Sequence, residues 1–438
     1  MIGAEASSVG GSGMARGIAV ALAVIVVALG LPPGYVGAAE PMTERWSTTF
    51  GGPKWDEAYS VQQTSDGGYI VTGYTDSYAE DFRAVWLVRT DARGEEMWER
   101  TFGETGWAEG RAVRQTSDGG YILTGFVRVD DQPDVWLVKT DADGNKEWAR
   151  TFGGPEAEWG FSVEETSDDG YVVAGFTRSE GEGEEDAWLI KTDSRGRQVW
   201  GRTFGGPQAD YARSVWQTSD GGYIIAGRTS SYGSGGADAW LIKTDADGNE
   251  QWSWPFGGPK DDFANAVQQT SDGGYVFAGG TRSAGDGNTD MWLVKTDGNG
   301  TLEWGEAFGG SDEEEGCSVQ QTPDGGYVMA GYTTSYGAGE EDVWLVKADS
   351  RGREQWSRTF GGSRCDIGYA VQWTSDSGYV VAGVTESYGN GSVDMWLLKV
   401  GGVVTGGPSV YQWVAVGAMI GVVALGAALL LRRKPLSG

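Results

Sequence analysis

Between about residues 46 and 399 the chain runs in short apolar stretches rich in Val, Ile, Tyr and Trp, cut at regular intervals by Gly-Gly and Asp-x-x-Gly. One unit reads as four strands over residues 213–217, 223–229, 238–244 and 251–256, with turns at Asp220-Gly221-Gly222 and Asp245-Ala246-Asp247-Gly248. The unit returns about every fifty-two residues. Its Thr-x-Asp-x-Gly core begins at Thr64, Thr116, Thr166, Thr218, Thr270, Thr322 and Thr374. A four-stranded unit of this size buries its faces only against copies of itself, so the pattern predicts an all-β, seven-bladed propeller of four-stranded blades.

The ends of the repeat are out of phase. Trp46-Ser47-Thr48-Thr49-Phe50 matches a fourth strand with no preceding three, and the seventh unit has three strands before Gly401-Gly402. The N-terminal strand is therefore expected to close the last blade and remove a free edge. Trp86, Trp136, Trp188, Trp240, Trp292, Trp344 and Trp396 fall in the third strands; Trp46, Trp98, Trp148, Trp200, Trp252, Trp304 and Trp356 fall in the fourth. Rings of that size at one repeating position are packing between blades.

The pattern Asp141-x-x-Gly144-x-x-x-Trp148 and its copies resemble the tryptophan-docking repeats of quinoprotein-like propellers, with a shorter turn. The whole unit, over about residues 44–400, resembles tandem-repeat propeller proteins of archaeal and bacterial cell surfaces, which generally lack an assigned activity. That resemblance implies the fold and leaves the ligand open. Thr64-x-Asp66-x-Gly68 and its copies resemble the Asp-box hairpin of sialidase-like propellers, itself a structural turn.

The flanks place the domain. Residues 1–39 have the layout of a secretory signal: Arg16, an apolar run over 18–31, then Gly37-Ala38-Ala39, and a start at Met14 would serve it equally. The propeller occupies 40–402, with a linker at 403–409. Residues 410–431 carry no charge and are long enough for one transmembrane helix, and 432–438, with Arg432-Arg433-Lys434, form a cytoplasmic tail. The expectation is a single-pass protein of the cell membrane with the propeller outside. A net charge of -29 excludes nucleic acid as a partner. The absence of His removes the commonest general base and zinc ligand.

Candidate chemistry lies in the loops. The Asp-x-Asp-x-Asn stretches at Asp141 and Asp245 imitate calcium loops, but Arg93, Arg195 and Arg351 stand where a second carboxylate would, so they read as hairpin turns. The loops leading into the blades carry Asp56, Glu158, Asp210, Asp262, Glu314 and Asp366, with Ala108 in the second blade. This acidic rim either collects calcium or caps the Gly-Gly turns. No other metal or cofactor is implied. Five residues before each core Thr the repeat varies most: Tyr59, Arg111, Phe161, Arg213, Asn265, Cys317 and Tyr369. With Trp55, Trp107 and Trp159, assigned to the same rim, these form an aromatic and polar surface suited to sugar rings. Cys317 and Cys365 are candidates for a disulfide in an exported protein. Asn299-Gly-Thr301 and Asn390-Gly-Ser392 are glycosylation sequons in turns.

The function expected is a non-catalytic binding or adhesion module for an extracellular glycan or protein. A structural envelope component and an exported polysaccharide hydrolase or lyase are the alternatives; Arg111, Arg213 and Tyr369 invite the catalytic idea.

Overall fold

The computed structural model describes residues 42–401, apart from 80–82, 104–105 and 130–131. The expected signal, linker, membrane span and tail lie outside the described residues, and among the described residues no helix is long and apolar enough to cross a membrane. The strands form seven antiparallel four-stranded sheets, each a blade in meander order. In the fourth blade, from the axis outward, they are Asp210–Gln217, Tyr223–Thr229, Asp238–Thr244 and Glu250–Phe256. The first strand begins three residues before the sequence pattern predicts, because the acidic residue is part of it.

The middle two strands are buried on both faces, which is why they read as nearly continuous apolar runs, and the outer strand is half exposed. Thr43–Phe50 pairs antiparallel with Asp394–Gly401, matching Trp46 with Lys399 and Phe50 with Met395. The first and last described strands thus share the seventh blade.

The core sits between blades. Across the closing joint, Ala58, Val71 and Trp86 of the first blade meet Val380, Ala382, Met395 and Leu397 of the seventh, with Phe50. The fourth-strand tryptophans reach the next blade: Trp98 meets Tyr121 edge-on at 5.9 Å, and Trp46 meets Tyr69 at 5.8 Å. Gly248 turns at φ +77° directly on the Trp200 ring, where a Cβ would lie 2.8 Å from the ring carbons. The Asp-x-x-Gly turn is therefore the docking face for the previous blade's tryptophan. Asp245 orders that turn by accepting the Asp247 and Asn249 amides at 3.0 and 2.8 Å.

Polar bonds also run from blade to blade. The Ser219 amide donates to Gln269 and the Ser271 amide to Gln321, both at 2.8 Å, and the Ser375 amide donates to Gln63 across the joint at 2.9 Å. A buried cation under each Asp-x-Gly hairpin is not evident from the sequence. Lys243 Nζ lies 3.0 Å from Asp220 Oδ2 and donates to the Thr244 carbonyl at 2.7 Å, and Arg89 does the same for Asp66 in the first blade.

Candidate functional site

Each first strand carries a β-bulge at one place, and the residue left without a cross-strand partner is Tyr59, Arg111, Phe161, Arg213, Asn265, Cys317 or Tyr369. These are the seven varied positions of the repeat. A bulge ejects one side chain and bends the strand. The backbone opposite must come close, and the second strand supplies Gly there: a Cβ on Gly227 would overlap the Tyr211 carbonyl.

The bulged side chains meet around the axis. Tyr369 and Tyr59 pack with ring centroids 5.1 Å apart. The Arg111 guanidinium lies 4.0 Å over Tyr59 and 5.6 Å from Trp159. Trp159 packs 6.1 Å from Phe161, and Arg213 lies 4.4 Å over Phe161. On the far side, Asn265 donates to Glu315 at 2.8 Å and to the Gly316 carbonyl at 3.0 Å. Below this mouth the axis holds a cavity of about 200 Å³ lined by Gln62, Arg114, Glu164, Trp216, Gln268 and Gln320 among others. Arg114 and Glu164 pair there at 2.9 Å.

Residues two before each bulge, with their cross-strand partners, form a second tier of which sequence reasoning picked out only Trp159. Glu57 accepts bonds from Tyr59 and Tyr74, both at 2.6 Å. Glu109 pairs with Arg83 at 2.7 Å and with Arg111 at 2.5 Å. Tyr211 lies beneath Arg228, whose guanidinium is 4.6 Å from the ring. Glu315 accepts from Tyr332 at 3.3 Å. The signal in the sequence was an i−2 position varying in step with the bulge. Burial, followed by the pull of Arg111 in the opposite sense, pushes the Tyr59 hydroxyl far up from its ordinary value. Tyr369 is likewise raised by burial and by Glu57.

Three expectations change. Trp159 is not in a loop with Trp55 and Trp107; it lies inside the strand Glu158–Glu165, two repeat positions further on, where Glu57 and Glu109 stand in the first two blades, stacked 4.4 Å from Phe126. Trp107 sits under Arg83 at 5.0 Å and is 43% exposed, and Trp55 is 49% exposed and bridges to Val393 at the edge of the seventh blade. The Cys317–Cys365 disulfide does not form, and both thiols are free. Cys317 is a bulge residue near the axis, whereas Cys365 lies four positions before the matching bulge of its own blade, roughly 13 Å along the strand, too far for a disulfide. Burial drives the Cys317 thiol well above its usual range.

The acidic residues are spent within the fold. Asp56, Glu158, Asp210, Asp262, Glu314 and Asp366 are fully buried. Asp262 accepts the Gly258 amide at 2.8 Å, the Ser283 hydroxyl at 2.7 Å and amide at 3.3 Å, the Thr281 hydroxyl at 2.5 Å and the Arg282 amide at 3.1 Å. Five donors saturate one carboxylate, so it holds the turn. Among the described residues no group of His, Cys, Asp and Glu is placed to hold a metal ion. Tyr78, Tyr232, Tyr336 and Tyr388, in the loops after the second strands, are latches too: Tyr232 donates to the Gly205 carbonyl at 2.6 Å and lies on Trp240.

No family model matches the chain. The regulatory protein FlaEY of Caulobacter vibrioides is 31% identical over 144 residues, which are 27% of this chain and 15% of that protein. The chain thus spans far less than two thirds of the curated relative it matches. The Neurospora crassa Pan2 WD40 domain superposes with a TM-score of 0.51 at 13% identity, covering 83% of this chain and 97% of that one. A puromycin hydrolase complexed with PGG superposes with a TM-score of 0.50 at 15% identity, covering 75% and 50%. At such identities the likeness is one of fold, a propeller, and a propeller carries both binding proteins and enzymes.

Proposed function

We propose that the chain is a non-catalytic binding module of the tandem-repeat cell-surface kind, anchored through its C-terminal apolar segment, and that it takes a glycan at the axial mouth. The observation that carries this reading is the ring of bulges: one backbone device repeated seven times, holding side chains that differ from blade to blade while the scaffold around them repeats. Tyr59, Trp159, Phe161 and Tyr369 offer half-buried ring faces beside Arg111, Arg213 and Asn265. Sugar rings stack on such faces and bond to such polar groups.

The chemistry favours binding over turnover. The hydroxyls placed to act as nucleophiles, Tyr59 and Tyr369, are held protonated by burial, and Tyr59 donates its proton to Glu57. Arg111 is already held by Glu109.

The test is a glycan array probed with the purified full-length chain, alongside Tyr59→Ala and Trp159→Ala. Binding to a restricted set of glycans, lost in both variants, is the expected result. Binding that survives both, or is absent throughout, overturns the reading. Cleavage of the propeller by protease added to intact cells tests the outward orientation.

A further inference from the structure

Among the described residues, several arginines of the inner strands and the loops beside them have carboxylate partners. Arg83, Arg111, Arg114, Arg178 and Arg282 pair with Glu109, Glu109, Glu164, Glu185 and Asp261. Arg213 and Arg228, both half-buried in the fourth blade, make no ion pair among the described residues. The chain has 62 acidic residues against 33 basic ones, so a shortage of carboxylates is not the reason. Both cations lie against one ring: Arg228 is 4.6 Å and Arg213 5.8 Å from the Tyr211 centroid. Arg228 Nε is buried with no hydrogen-bond partner.

The acids within reach are committed. Glu315 is bonded by Asn265 and Tyr332, and Glu185 by Arg178 and Tyr211. Burial first, then Arg228 and Arg111, push the Arg213 pKa down to about 10, so it keeps its charge at neutral pH and bears the cost of it. Two like charges, side by side and partly desolvated, are unfavourable until an anion lies between them.

We propose that Arg213 and Arg228 form a carboxylate subsite of the axial mouth, and that the glycan taken there is an acidic one bearing a uronic acid residue. This rests on the glycan reading above. Guanidinium groups meet a planar carboxylate with parallel hydrogen bonds, and the Phe161 and Trp159 faces beside them receive the sugar ring. The net charge of the whole molecule does not forbid this. Screening over about 8 Å at physiological salt leaves a ligand in the mouth subject mainly to the cations it touches.

The experiment titrates the full-length chain by calorimetry with oligogalacturonate, oligoglucuronate and oligomannuronate, each against its carboxyl-reduced neutral form. The variants are Arg213→Asn alone and Arg213→Asn with Arg228→Val, residues that other blades carry at the same places, Asn265 and Val384. The wild type should prefer at least one acidic oligomer over its reduced form by about tenfold to a hundredfold, the scale of one or two charge-assisted bonds. The double variant should lose that preference, its affinity for the acidic form falling to its affinity for the reduced form, at an unchanged melting temperature. Equal wild-type affinity for both forms overturns this inference and leaves the glycan site standing. A preference that survives in both variants places the anion elsewhere and also overturns it. Failure to bind either form removes the glycan reading with it.

Discussion

Replacing Asp262 by Ala separates the two roles open to the acidic residues, turn cap and calcium ligand. The side chain is fully buried and accepts five hydrogen bonds, from Gly258, Thr281, Arg282 and twice from Ser283. Hydroxyls can turn to other acceptors, but the Gly258, Arg282 and Ser283 amides cannot move without the loop. At about 1–3 kcal/mol for each buried donor left unsatisfied, with partial rescue by water, the loss is about 4 kcal/mol. Unfolding a domain of about 360 residues carries about 2 cal/mol/K per residue, so the melting temperature should fall by about 5 °C. Asp262→Glu should fall far less, because Glu158 and Glu314 do the same work in other blades, accepting the Gly154 and Gly310 amides at 2.9 and 2.7 Å. The second blade makes the argument within the molecule: Ala108 replaces the acid, and Val127 and Val129 replace the Thr and Ser that would donate to it. Scanning calorimetry of the three proteins with calcium and with chelator decides the matter. A melting temperature unmoved in Asp262→Ala refutes the cap. A calcium-dependent rise in the wild type that the variant lacks makes the acid a ligand instead.

Other expectations follow from the same scaffold. Deleting residues 43–50 removes the fourth strand of the seventh blade and should lower the melting temperature by more than 10 °C, roughly the effect of exposing one blade interface; an unchanged melting curve refutes ring closure. Gly248→Ala puts a Cβ at φ +77° against Trp200 and should cost about 2–3 kcal/mol in chemical denaturation, while Gly67→Ala, with open space around it, should cost only the backbone part. The hairpin acids set the acid limit. Burial raises the Asp118 pKa, but bonds from Thr116, Lys139 and Gly120 outweigh it and hold the group at about 2, and Asp376 is held at about 2 in the same way by Lys399 and Thr374. A carboxylate depressed on folding stabilises above its unfolded value of 3.8 and loses that contribution as pH falls towards 2. Melting temperature should therefore drop between about pH 4 and 2, and Lys139→Met should shift that drop to higher pH; coincident acid profiles for the two proteins contradict it.

The architecture was legible because it depends on spacing. Seven cores, two tryptophan series and an orphan strand at residue 46 fix blade number and closure before any contact is known. The site was legible only in part, and the reason is the bulge. Reading alternate positions along residues 210–217 assigns faces by a period of two, but the extra residue at 213 resets that period midway. Arg213 stood out because the repeats differ there, not because its direction could be read. Its neighbours Tyr211 and Arg228 were missed because one lies across the phase change and the other on the partner strand. Trp159 was misplaced by two repeat positions for a related reason: the leading loop of its blade has Ala157 at the place of Trp55 and Trp107, and the nearest tryptophan lies past the start of the strand. The cation under the hairpin, Arg89 in the first blade and Lys243 in the fourth, is a charge within an apolar strand, and only the Asp 23 residues earlier explains its burial.

The bulge also explains why variation can concentrate at this ring without cost to the fold. At every other inner-strand position a side chain either meets the neighbouring blade or sits opposite a cross-strand partner, so a change is felt by the packing on one side or the ladder on the other. The bulged residue has no cross-strand partner, and the Gly across from it, such as Gly227, leaves the backbone to make the contact. A Tyr, an Arg, a Phe, an Asn and a Cys therefore occupy equivalent places on nearly identical blades. Seven such positions converging on one axis are what a repeat protein needs to build an asymmetric site from symmetric parts. The lone pair of arginines in the fourth blade is the point where that asymmetry is greatest in charge, because it is where a partner is missing and the acids close by are already bound.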